Sequence, residues 1–156
     1  MRKLLSIAAF TLIASALTFA HVTVAPQQAP AGASQVYKVR VHNDEKTAVS
    51  SIELDVPAGA TVVSVAPMAG AKSSTAKTGD RITKITWELQ VAPGKYVEIP
   101  FTVKNPASGQ LQWIVREHFV DGKVAEWSDK AGAEGKASVT KIIAASSAAA
   151  AATPAK

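Results

Sequence analysis

Apolar and polar residues alternate in a series of short stretches between residues 22 and 127. The alternating apolar positions are Tyr37, Val39 and Val41; Ile52, Leu54 and Val56; Ile85, Trp87 and Leu89; and Val97, Ile99, Phe101 and Val103. A period of two places such residues on one face of a β-strand. Turn-forming residues recur roughly every ten positions, and no stretch before the C-terminal tail has a sustained helical period. The pattern predicts about seven or eight short strands in an antiparallel sandwich or barrel.

Three segments modify this pattern. Pro100 lies within the alternating stretch 97–103, and because proline cannot donate to a ladder, that strand is predicted to be an edge strand or a bulged one. Residues 67–80 are mostly small and polar, which predicts a loop. The Ala-rich segment 142–156 is predicted to be a disordered tail. The folded domain is therefore expected to span residues 21–141.

Asp121-Gly122 is the strongest hairpin signal in the chain. Treated as a two-residue loop, it pairs His118 with Ala125 across the hairpin. It then places His118 and Trp127 on one face and Glu117 on the other. For His118 we favour an exposed strand residue, and for Trp127 the usual role is core packing.

The first 20 residues have the pattern of a secretory signal peptide. A positively charged start precedes an apolar run from Leu4 to Leu17, and Thr18 and Ala20 occupy the −3 and −1 positions of a small-x-small cleavage site. The apolar run is too short for a membrane-spanning helix. We therefore expect a periplasmic or secreted protein that begins with His21 and has no membrane span in its mature form.

Composition excludes several classes of function. Removal of Arg2 and Lys3 with the signal peptide lowers the net charge from +5 to +3, and the basic residues form no run, so no nucleic-acid partner is expected. The chain has no cysteine, which excludes disulfides, thiolate metal sites and thiol catalysis. Met68 is the one methionine after processing, so a thioether cluster for Cu(I) cannot form within one chain.

A histidine at the mature N-terminus offers an α-amine and an imidazole within one chelating reach. Nitrogen donors of this kind favour Cu(II) over the other divalent first-row metals. Zinc accepts the same donors, but a tetrahedral zinc site normally has more His or Cys ligands. Because almost any residue can follow a cleavage site, His21 alone does not establish a metal site.

Several motifs in this order resemble the YcnI-like exported copper-binding family. They are His21-Val22-Thr23-Val24 with Pro26 and Gly32; Tyr37-Lys38-Val39-Arg40-Val41-His42-Asn43; Val56-Pro57-Ala58-Gly59; Trp87; Pro93-Gly94; Glu98; Phe101; and Phe119 to Trp127. The resemblance covers the mature domain and excludes the tail. The sequence departs from the family at His42, where proline is usual, at Met68-Ala69-Gly70, and at Glu117-His118-Phe119.

This resemblance implies an immunoglobulin-like β-sandwich. A cupredoxin-like barrel is the alternative that the strand pattern leaves open. The resemblance also implies one Cu(II) per chain, held by the amine and imidazole of His21 and by a glutamate, with a nearby tryptophan. By position these roles fall on Glu98 and Trp127, and Glu117 and Glu126 are alternatives for the glutamate. The implied function is copper homeostasis or chaperoning without catalysis, with another copper-handling protein as a partner.

Two further classes of function remain open. A copper-dependent oxygenase would need a second histidine, for which His42 or His118 could serve. The chain has three histidines in all and few aromatic residues for a flat polysaccharide-binding face. The second class is a metal-free interaction module with the same sandwich.

Overall fold

A computed structural model describes residues 21–144. The predicted signal peptide, and residues 145–156 of the predicted tail, lie outside the described residues. Within residues 21–144 the chain forms strands and turns, with no helix capable of crossing a membrane. The strands are β1 (Val22–Ala25), β2 (Gln28–Pro30), β3 (Ser34–His42), β4 (Val49–Asp55), β5 (Thr61–Val65), β6 (Lys72–Thr78), β7 (Arg81–Val91), β8 (Tyr96–Lys104), β9 (Gln110–Phe119), β10 (Val124–Trp127) and β11 (Ser138–Ile143).

The strands form two sheets that pack face to face. One has the order β1-β3-β8-β5, and the other has the order β2-β11-β9-β4-β7-β6 with β10 added to β9. All pairs are antiparallel except β11 with β2. Neither sheet closes on itself. The predicted all-β sandwich is confirmed, and the barrel alternative is wrong.

An aromatic cluster joins the two sheets at the centre of the core. Tyr37 and Phe101 come from the first sheet, and Trp113 and Trp87 come from the second; all four are buried. The ring centroids of Tyr37 and Trp113 are 5.0 Å apart, and those of Phe101 and Trp113 are 5.6 Å apart. Such contacts add to the free energy gained by burying the rings. This core fixes the two sheets relative to each other and so positions the residues at the ends of the strands.

Two segments predicted to be irregular are strands. β6 lies within the segment predicted as a loop and pairs with β7 along its whole length. All its residues are exposed, so it carries no alternation for the sequence pattern to reveal. β11 extends to Ile143, and Ile142 is buried, so the first two residues of the predicted tail belong to the sheet. That strand pairs with both β9 and β2.

The position of Pro100 corrects the prediction of an edge strand. β8 is an interior strand between β3 and β5. However, β5 ends opposite Phe101, so Pro100 has a paired residue on one side only, Lys38. The irregularity of this sheet lies in β5, between Val62 and Ser64, and not in β8. Proline is therefore tolerated because the neighbouring strand stops one residue earlier.

The β9–β10 hairpin has a register one residue different from the predicted one. Its loop contains three residues, 120–122, because the Phe119 amide donates to the Lys123 carbonyl at 2.9 Å and Gly122 has a φ of 87°. Glu117, and not His118, is therefore opposite Ala125. A slip of one residue exchanges the two faces of a strand. The predicted placement of His118 on the face of Trp127 is wrong, and Glu117 takes that place.

Candidate metal centre

A cavity of about 150 Å³ lies at one end of the sandwich. His21, just before β1, and His42, at the end of β3, contribute to its wall. The loop after β3 adds Asp44, and the β9–β10 hairpin adds Glu117 and Trp127. The cavity therefore collects residues that are distant in sequence but adjacent at the strand ends.

Pairing of β1 with β3 places the first two histidines side by side. Val22 is opposite Val41, and the His42 amide donates to the His21 carbonyl at 2.9 Å. This bond continues the ladder by one residue. The His21 backbone is consequently held at the mouth of the cavity by a strand pair whose apolar residues are in the core.

Asp44 lies between the two imidazoles. One carboxylate oxygen, Oδ1, is 2.7 Å from His42 Nδ1, and the other, Oδ2, contacts His21 Nδ1. Each of the three side chains is about half-exposed, at 50% for His21, 47% for His42 and 43% for Asp44. One atom from each lies within 4.8 Å of the others. These groups form a polar rim around the opening of the cavity.

Asn43 holds the loop that carries Asp44. Its side-chain amide donates to the carbonyls of Val91 at 2.8 Å and Thr47 at 3.0 Å. Its side-chain oxygen accepts from the Glu45 amide at 3.0 Å. Asn43 is buried, so these bonds satisfy a polar group that would otherwise destabilise the fold. The hydrogen bonds of Asn43 therefore fix the loop that carries Asp44 to the interior of the protein.

Glu117 is the buried acid of the cavity. The residue is 2% exposed, and its Oε1 has no hydrogen-bond partner. Burial, reinforced by the nearby carboxylates of Glu45, Asp44 and Glu134, raises the pKa of this carboxyl to about 7. A buried carboxylate is costly unless a proton or a cation compensates its charge. Either a proton or a bound cation would compensate the charge of this carboxyl.

Trp127 forms part of the cavity wall and is held from behind by Gly135. A Cβ atom on residue 135 would lie 2.6 Å from Cδ1 and 2.8 Å from Nε1 of the indole. The Ser128 amide donates to the Gly135 carbonyl at 3.0 Å, which brings the loop backbone against the ring. The glycine is needed here for close approach, and it limits the orientations open to Trp127.

Glu98 lies outside this cavity. Its carboxylate accepts hydrogen bonds from Lys38 Nζ at 2.9 Å, Arg40 Nε at 2.8 Å and the Tyr96 hydroxyl at 2.7 Å. The Lys38 hydrogen bond, followed by that of Tyr96, lowers the pKa of Glu98 to about 2. Its charge is already compensated by the two cations. The structure does not bring Glu98 together with His21 and Trp127.

Glu126 and His118 also lie outside the cavity. Glu126 accepts from Arg116 Nε and from the Ser128 hydroxyl, each at 2.6 Å, so its carboxylate is already engaged. His118 lies on the same face of the hairpin, with Nε2 4.0 Å from Glu53 Oε2. Of the residues singled out from the sequence, the cavity contains His21, His42, Glu117 and Trp127.

Asp44, Glu45 and Glu134 are acidic residues of the cavity that the sequence did not single out. Asp44 lies in the loop between β3 and β4, and Glu134 lies in an irregular segment after β10. The loop that contains Asp44 follows His42 directly, and His42 pairs with His21 through the fold, a link that no local sequence pattern reveals.

A family model described as "Domain of unknown function (DUF1775)" matches residues 21–145. A relative from Bacillus subtilis (strain 168), named copper-binding protein CutI, is 28% identical over 130 residues, which are 81% of this chain and 64% of the relative. This chain thus spans somewhat less than two thirds of that protein's length.

Solved structures share the fold at low sequence identity. An uncharacterized protein from Nocardia farcinica with an immunoglobulin-like fold has a TM-score of 0.64 and 20% identity, over 78% of this chain and 97% of that one. A non-cellulosomal cohesin from Archaeoglobus fulgidus has a TM-score of 0.52 and 12% identity, over 85% of this chain and 97% of that one. At these identities the likeness concerns the immunoglobulin-like sandwich alone.

Proposed function

This chain belongs to the DUF1775 family, and we propose that it is an exported protein that binds one Cu(II) at its mature N-terminal His21. The relative from Bacillus subtilis is named a copper-binding protein. That name, together with the donor set at the end of the sandwich, supports a role in copper handling.

The observation that supports this proposal most directly is the buried carboxyl group of Glu117. This carboxyl is buried in the cavity that His21 also lines, and one of its oxygens has no hydrogen-bond partner. Three other carboxyl groups lie close enough to raise its pKa. A cation at this position would compensate the charge, which no basic side chain does by hydrogen bonding.

The proposed ligands each supply a different property. The α-amine and imidazole of His21 form a chelate that selects Cu(II) by its preference for nitrogen. Glu117 replaces Glu98 as the proposed carboxylate ligand, since it lines the same cavity and is not engaged by lysine or arginine. Trp127 contributes an apolar wall that limits solvent access and restrains redox cycling of the ion. Bound Cu(II) would be held as cargo, with no reaction required of the protein.

The half-exposed rim fits a protein that delivers its ion. His21 and Asp44 remain accessible from solvent, so another copper-handling protein could approach the ligands directly. We therefore place the chain in copper homeostasis, as a periplasmic or secreted chaperone. This role accounts for both a selective donor set and an open route for transfer.

The test compares mature protein that begins with His21, verified by intact mass, with protein that carries one extra residue before it. The mature form should bind one Cu(II), and its stability should rise by about 2.7 kcal/mol at a free ion concentration a hundredfold above Kd. The extended form should bind far more weakly because its α-amine has become an amide. Equal affinities would overturn the proposal, and no Cu(II) binding by the mature form would favour a metal-free interaction module.

A copper-dependent oxygenase is the second candidate, favoured by the pairing of His42 with His21. In that case His42 would be an essential ligand of Cu(II) in the mature protein. Oxidation of a polysaccharide with ascorbate and oxygen, abolished in His42→Ala, would establish it. On the first proposal, the same variant keeps its Cu(II) and the protein oxidises no polysaccharide.

A further inference from the structure

We propose that His21, His42 and Asp44 form a second metal site, for Zn(II), that uses side chains alone and does not need the α-amine. The sequence offered a single histidine at the mature N-terminus. The fold places a second imidazole and a carboxylate beside it, with one donor atom from each residue within 4.8 Å of the others. This set differs from the amine, imidazole and buried Glu117 proposed for Cu(II).

The three donors converge around one carboxylate. The two oxygens of Asp44 face different imidazoles, with Oδ1 2.7 Å from His42 Nδ1 and Oδ2 in contact with His21 Nδ1. An ion can enter between these groups with small rotations of exposed side chains. Each side chain is about half-exposed, so water has access to the remaining coordination position.

The backbone beneath these side chains is firmly held. The His42 amide donates to the His21 carbonyl at 2.9 Å, and Asn43 anchors the following loop through its bonds to Val91 and Thr47. Rigid support lowers the cost of ordering the ligands when an ion binds. The backbone that carries the three side chains is therefore fixed before an ion binds.

The donor types at this rim favour a transition metal such as Zn(II) over Ca(II) or Mg(II). Two imidazoles and one carboxylate make the three-ligand set common in zinc sites with an open fourth position. Ca(II) and Mg(II) instead require several oxygen ligands. The neighbouring Glu45 is engaged by Lys123, with 2.7 Å between Oε1 and Nζ, so it does not extend the site into an oxygen cage.

Sharing of His21 couples this site to the copper site. The imidazole of His21 can bind one ion at a time. Bound Zn(II) therefore lowers the apparent affinity of the protein for Cu(II), and bound Cu(II) lowers its apparent affinity for Zn(II) by the same factor. The coupling part of the inference rests on the proposed copper function. The zinc site itself does not, because its three ligands are independent of signal-peptide cleavage.

The experiment titrates Zn(II) into the N-terminally extended protein, which lacks the α-amine, by calorimetry. We expect one Zn(II) per chain, with an affinity lowered at least about tenfold in His42→Ala and in Asp44→Asn. Co(II) in place of Zn(II) should give the visible absorption of a tetrahedral ion in the parent protein. His118→Ala is the matched control, because that imidazole is also partly exposed and lies 4.0 Å from a carboxylate, that of Glu53.

Three outcomes would overturn the zinc site. The first is that the extended protein binds no Zn(II). The second is that His42→Ala binds Zn(II) as tightly as the extended protein without the substitution. The third is that His118→Ala lowers the Zn(II) affinity as much as His42→Ala does. Thermal unfolding of each variant without metal checks that the substitution has not altered the fold. If the extended protein binds Zn(II) but the mature form binds no Cu(II), the copper function fails while the zinc site stands.

Discussion

Glu117 lies directly opposite Ala125 in the β9–β10 ladder, and the alanine offers its carboxyl group no hydrogen bond. The cross-strand neighbour that could have neutralised a buried acid is therefore a methyl group. Burial, together with the nearby acids Glu45 and Asp44, raises the pKa of Glu117 to about 7. In the absence of metal this carboxyl is therefore mainly protonated only below about pH 7.

The stability of the metal-free protein should fall as this carboxyl ionises. Its pKa in the folded state is about 7, above the ordinary value of 4.5 expected in the unfolded chain, so the folded state holds the proton more tightly. The contribution is fully present below about pH 4.5 and is lost as the pH rises through 7. A pKa shift of this size changes the free energy of unfolding by at most about 3 kcal/mol. Urea unfolding at several values between pH 5 and 7.5 measures it.

Glu117→Gln isolates this effect from the other acids. The amide cannot ionise, so the difference in unfolding free energy between variant and parent should change across this pH range. Glu98→Gln is the control, because the Lys38 hydrogen bond already lowers the pKa of Glu98 to about 2. Its difference from the parent should stay constant from pH 5 to 7.5. A flat difference for Glu117→Gln would show that this carboxyl is ionised throughout the range.

The same two variants separate the candidate copper ligands. Glu117→Gln should weaken Cu(II) binding by mature protein at least about 10–100-fold, the scale of losses that follow even indirect changes at a metal site. Glu98→Gln should leave the affinity unchanged, because its carboxylate contacts Lys38, Arg40 and Tyr96 outside the cavity. Competition with a chelator of known affinity measures both. If Glu98→Gln weakened Cu(II) binding and Glu117→Gln did not, Glu98 would be the carboxylate ligand.

Gly135→Ala should disturb the indole of Trp127. The added methyl group would lie 2.6 Å from Cδ1, so either the ring or the loop must move. Overpacking of this kind costs about 1–3 kcal/mol. Chemical denaturation and a change in intrinsic tryptophan fluorescence report the effect. Ala131→Ser, an exposed substitution in the same loop, should stay within about 0.5 kcal/mol. Equal effects of the two substitutions would mean that the contact is relieved without cost.

Much of the fold could be predicted because most strands bury one face. The alternation around Tyr37 and Trp87 coincides with β3 and β7, and both residues are buried in the core. β6 was missed because it is exposed along its whole length, and alternation arises only where one face is buried. The family resemblance is confirmed by the family match over residues 21–145.

The site was harder to predict than the fold. The loop at Asp121-Gly122 has three residues where two were predicted, and this one-residue difference exchanged the faces of Glu117 and His118. The position of Asp44 depends on the pairing of His21 with His42, which joins segments that no local pattern links. Local residue preferences therefore gave the strands, whereas the ligand set depends on register and on long-range pairing.

Trp127→Phe should retain one Cu(II) per chain but change the properties of the ion. Phenylalanine is smaller than the indole, so the cavity wall should admit more solvent and the ion should be reduced faster by ascorbate. The electron paramagnetic resonance spectrum of bound Cu(II) should shift as well. Trp113→Phe is the matched control, since Trp113 is buried in the core and donates to the Thr140 hydroxyl at 3.1 Å. It should lower stability and leave the Cu(II) spectrum unaltered. An unchanged spectrum and reduction rate in Trp127→Phe would limit the role of Trp127 to packing.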